Sequence, residues 1–135
     1  MNIKKEIIDQ YPTIYPVILV VCNKYVSVKT IQKKYSKPDG TEINDDMLNH
    51  MAVTIPCIEK ATRKYCLLVK IQYVEGANSA EKKACLVNSI AHEALHVALD
   101  TWVTMDEDVC TYNQEPIAYY VGWVSECIYK TIMKK

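Results

Sequence analysis

Three ionisable side chains, His92, Glu93 and His96, interrupt an otherwise apolar helical pattern between Ser89 and Asp100. Ionisable groups buried without partners are costly, so this trio needs something to compensate it. Two histidines four residues apart project from one helix face about a turn apart. They can place two ring nitrogens ~2.0–2.1 Å from a single zinc ion. Glu93 is rotated by one residue from the line of the histidines, so its carboxylate can reach a metal-bound water without ligating the ion. That is the placement of a general base in metal-assisted hydrolysis.

Zinc in a hydrolytic site takes a third protein ligand and leaves the fourth position for water. Asp100 continues the four-residue series, but about 12 Å of helix rise separates it from His92. It is expected to orient a histidine ring rather than to bind the ion. Glu115 is the expected third ligand, because it lies at the start of the next helical segment, with eighteen residues between it and His96. A turn through the acidic stretch Asp106-Glu107-Asp108 can fold that segment back. The oxyanion of the reaction needs a donor, and Tyr112, Tyr119 and Tyr120 are the nearby phenols, with Tyr119 first because it lies one turn from Glu115. Against this stands a plain alternative in which His92 and His96 are satisfied core residues. His50 is expected to be exposed beside a polar loop, and Cys85, seven residues before His92, to be a packing residue.

The elements that must position these residues are readable in outline. Ser79 is a plausible N-cap for a long helix ending near Trp102, and a second helix runs from Asn113, with Pro116 tolerated in its first turn, through Ile132. Ahead of them the chain reads as strands. Val17–Cys22 and the alternating Tyr25–Ile31 are expected to pair as a hairpin turning at Asn23-Lys24, followed by a Pro38-Asp39-Gly40 turn. Met51–Ile58 and Tyr65–Val74 form a second apolar pair around a charged connector, and Tyr65, Leu67, Val69, Ile71 and Tyr73 share one face of the latter strand. The sum is one α+β domain over residues 1–135, a small antiparallel sheet followed by two helices.

Composition restricts the partners. At 135 residues the chain is the size of one domain, and sixteen Lys and Arg balance sixteen Asp and Glu. No net field favours nucleic acid or an anionic membrane surface. The longest apolar run, Val17–Cys22, is far short of the ~20 residues that cross a bilayer. No apolar stretch with a small-residue cleavage site follows Met1–Glu6, so a cytoplasmic protein is expected, with its six cysteines as buried thiols.

His92-Glu93-Ala94-Leu95-His96 followed by Glu115 resembles the gluzincins, zinc metallopeptidases whose His-Glu-x-x-His helix is completed by a glutamate on a following helix. Asn113-Gln114-Glu115-Pro116-Ile117-Ala118 loosely resembles their glutamate-bearing segment. The chain also resembles small His-Glu-x-x-His proteins of phages and mobile elements. The resemblance covers about residues 88–123 and implies a minimal zincin-like fold and zinc-dependent peptide-bond hydrolysis. By that likeness His92, His96 and Glu115 hold Zn2+, Glu93 is the base, and the strand Tyr65–Val74 offers an edge to a peptide or protein substrate. The exopeptidase motif Gly-x-Met-Glu-Asn is absent, and Tyr119 stands where thermolysin-like members carry an aspartate. Two other readings remain open: a structural or interaction protein that keeps the fold without catalysis, and a regulatory protease with one target.

Overall fold

The computed structural model describes residues 4–72 and 79–134. Two strands, Ile18–Cys22 (β2) and Tyr65–Ile71 (β5), form its centre and pair in parallel. Both are near-continuous apolar runs, the signature of strands covered on both faces. Ile8–Pro12 (β1) lies antiparallel outside β2, and Ala52–Glu59 (β4) antiparallel outside β5. Tyr35–Ser36 (β3) adds a two-residue edge to β4, giving a mixed sheet in the order β1-β2-β5-β4-β3.

Alternation then sorts side chains into two layers. Leu19 and Val21 of β2 and Leu67, Val69 and Ile71 of β5 pack beneath two long helices, Ala80–Thr104 (α3) and Glu115–Ile132 (α4). Val20, Cys22, Ile55, Cys57, Cys66 and Leu68 face the opposite layer, which holds Val28–Lys34 (α1) and Asp45–Leu48 (α2). Helix α3 packs on β4 and β5, and α4 on β2 and β1. Among the described residues no helix is long and apolar enough to cross a membrane.

The α+β class and the pairing of β4 with β5 agree with the sequence pattern, but the sheet is mixed rather than antiparallel. The expected hairpin of Val17–Cys22 with Tyr25–Ile31 does not form. Ser27 instead caps α1, its Oγ accepting the Thr30 N–H at 3.2 Å, and Val28 and Ile31 share one helical face. The alternation there fits a helix as well as a strand. Helix α3 starts where expected, with Ser79 Oγ accepting the Lys82 N–H, while α4 begins two residues after Asn113 with Pro116 in its first turn. Four cysteines are buried, but Cys85 and Cys110 are exposed, contrary to the expectation for all six. Burial pushes the Cys22 thiol up to about 12, so it stays protonated.

The described part of the expected strand Tyr65–Val74 has no edge to offer. That part, β5, is hydrogen-bonded on both sides, and Tyr73 and Val74 lie outside the described residues. The sheet ends on β1 at one side and on β3 and β4 at the other; β3 covers only Ile58 and Glu59, so among the described residues the rest of the outer side of β4 has no strand beside it. Glu59 N–H donates to Lys64 O and Gln72 N–H to Met51 O, which fixes the alternation along β4. Val53, Ile55 and Cys57 exchange bonds with β5, while Ala52, Thr54 and Pro56 turn their peptide groups outward.

Candidate metal centre

On α3 the steps of four from His92 to His96 to Asp100 run along the helix as a single row. Glu93 lies between that row and the core-facing residues Ala94, Val97 and Ala98. The burial follows this geometry: His92 and His96 are exposed, while Glu93 is 3% exposed. The histidines are therefore not core residues. They face a cleft of about 440 Å³ between α3 and β4, lined by Ala52, Val53, Thr54, Ile55, His92, Glu93, His96 and Asp100, with Met47 and His50 at its margin.

The two imidazoles converge, with their Nε2 atoms 3.1 Å apart and their rings near perpendicular at 71°. Without an ion that contact is a hydrogen bond between one protonated and one bare nitrogen. The same spacing suits a shared ion, since two nitrogens ~2.05 Å from a tetrahedral zinc stand about 3.3 Å apart. The donor pair thus fits the metal that the sequence motif implies.

Glu93 is held at one oxygen. Thr54 Oγ1 donates to its Oε1 at 2.9 Å, tying the carboxylate to β4, and Oε2 lies 4.0 Å from His92 Nε2. One oxygen is anchored and the other is turned towards the histidines. Thr54 therefore has two roles: its side chain orients the Glu93 carboxylate and its peptide group belongs to the outer side of β4. Asp100 sits in the same cleft within electrostatic reach of His96. Burial pushes its carboxyl above the usual carboxylate range, and His96 partly offsets this.

The structure does not bring Glu115 or Tyr119 to this cleft. Helices α3 and α4 form an antiparallel hairpin, joined where Thr101 Oγ1 and the Tyr120 hydroxyl share a hydrogen bond of 3.0 Å. His96 lies five residues below that contact on α3, and Glu115 five residues beyond it on α4, an axial separation of about 15 Å. The flank of α3 that meets α4 is also not the flank that bears the histidines. Helix α3 continues for eight residues past His96, carrying the turn away from the site. Tyr119 is 76% exposed and lines a separate apolar groove with Pro12, Ile14, Tyr15, Pro116 and Trp123, and Tyr120 lines that groove too. Tyr112 is fully exposed. Among the described residues, no three His, Cys, Asp or Glu side chains stand close enough together to enclose an ion.

Two residues of the cleft escaped the sequence reading. Thr54 carries no motif signal; only its place on the helix-facing side of an apolar strand marks it. His50 was expected at a polar loop, which is correct locally, but that loop opens onto the histidine row. No family model, curated protein or solved structure matches the chain.

Proposed function

We propose that this protein is a zinc-dependent peptide-bond hydrolase, with His92 and His96 as metal ligands and Glu93 as general base. The observation that carries the reading is the convergence of the two Nε2 atoms at 3.1 Å beside a buried carboxylate aimed at them. Zinc bound there would polarise a scissile carbonyl and lower the pKa of a water.

The chain's own residues supply the remainder. Glu93 Oε2, on the histidine side, takes the proton from the attacking water and returns it to the leaving amine. Glu93 Oε1 stays on the Thr54 hydroxyl, so the carboxylate keeps its orientation through both transfers. An extended peptide lies along the outward peptide groups of Ala52 and Thr54, as an added strand. Pro56 lacks an N–H and limits that ladder at its far end. This assigns substrate binding to β4 in place of the strand that the resemblance implied.

Glu93→Gln tests the reading. The variant should keep zinc and fold while losing about 10²- to 10⁴-fold in peptide hydrolysis, the usual contribution of a positioned base. Equal hydrolysis by wild type and Glu93→Gln would overturn Glu93 as the base, and zinc-loaded wild type with no hydrolysis of any peptide in a diverse library would favour a structural protein or a protease with one target.

A further inference from the structure

The proposed zinc site, as assembled on α3, has two protein nitrogens and needs a third donor. Glu115 lies along the wrong flank of α3, and Asp100 is carried by two helical turns away from His92. Across the cleft from the histidine row, the bend between α2 and β4 supplies another imidazole. We propose that His50 is the third protein ligand of the ion held by His92 and His96. This rests on the zinc reading above and sharpens it.

Several observations converge on His50. It lines the same cleft as His92, Glu93 and His96, two residues before β4 begins at Ala52. The ring is exposed and has no hydrogen-bond partner among the described residues, so nothing has to be broken to redirect it. Imidazole is a favoured zinc donor, whereas the Met47 thioether at the same margin suits softer ions. The three imidazoles are not gathered into one cluster in the structure, so ligation by all three requires His50 to move inward. A ligand from the β4 lead-in also has a structural consequence. The ion then ties α3 to the start of the strand whose outer edge would hold the substrate, coupling metal loading to the shape of the cleft.

The test is metal binding by the full-length chain, read without reference to activity. Zinc affinity is measured by competition with a chromophoric chelator, and coordination is followed by the visible absorption of the cobalt-substituted protein. Wild type, His50→Ala, His96→Ala and Glu115→Ala are compared, with circular dichroism to verify folding. Outer partners of zinc ligands already cost 10- to 100-fold in affinity when removed, so His50→Ala should weaken zinc about 100-fold or more and alter the cobalt spectrum. His96→Ala should abolish binding, and Glu115→Ala should change neither readout. An unchanged affinity and cobalt spectrum in folded His50→Ala would overturn the assignment while leaving the zinc reading intact, as would a loss in Glu115→Ala alone. Wild type that takes up no zinc would overturn both.

Discussion

The two flanks of α3 are built for different tasks. On the α4 flank Ala94, Val97, Ala98 and Thr101 are buried against Tyr120, Val124 and Ile128, and the one polar pair, Thr101 with Tyr120, is mutually satisfied. On the β4 flank the residues are ionisable, the histidines meet solvent, and the neighbouring strand presents an open edge. A single helix thus has one side that holds the domain together and another left accessible. The lesson is that a motif fixes which residues act, whereas the packing of the helix that carries them decides what they can reach. Glu115 has the right spacing from His96 in sequence, yet packing against α4 uses the opposite side of α3.

Breaking each flank should have separable effects. The largest is expected for His92→Ala or His96→Ala, which should abolish zinc uptake while leaving the urea-unfolding midpoint of the metal-free protein nearly unchanged, because both rings are exposed. Thr54→Val should come next. It leaves the buried Glu93 carboxylate without its hydroxyl donor and should destabilise by about 1–3 kcal/mol, measured by urea unfolding, while also lowering hydrolysis. On the other flank, Tyr120→Phe should cost about 1 kcal/mol through the lost Tyr120–Thr101 hydrogen bond, the Thr101 hydroxyl keeping its bond to Val97 O, and leave zinc affinity unaltered. A loss of zinc in Tyr120→Phe would show that the flanks are coupled.

The smallest effect concerns the end of α4. Asp9 on β1 accepts from Lys134 Nζ at 2.7 Å and from Thr131 Oγ1 at 2.8 Å. Burial pushes the Asp9 carboxyl up, but these bonds together outweigh it and hold the pKa below the ordinary 3.8. A carboxyl depressed in the folded state contributes stability above its unfolded pKa and loses it as pH falls through the lower folded value. Asp9→Asn should therefore flatten the acid limb of the stability curve below about pH 4, slightly, because the Lys134 side chain is half exposed.

Local signals in the sequence specify local structure well here. Ser79 and the apolar spacing define α3, the two apolar runs flanking a charged connector define β4 and β5, and the four-residue step places both histidines on one line. What escapes is what depends on distant partners. β1 is half polar, since Asp9 and Gln10 find their partners on α4 and on Tyr35 and Glu59, so it lacks a strand pattern of its own. The parallel pairing of β2 with β5 needs the whole crossover through α1 and α2, which no short window contains. His50 is separated from His92 by forty-one residues, and only the pairing of β4 with β5 beneath α3 reveals that they share a cleft.

Everything functional in this account depends on the pair of nitrogens on α3. The most direct measurement is zinc content by elemental analysis of untagged protein after zinc supply and gel filtration, for wild type beside His96→Ala. One zinc per chain in wild type and none in the folded variant is the expected result. No zinc in wild type, or equal zinc in both, would contradict the account and leave His92 and His96 as a hydrogen-bonded surface pair.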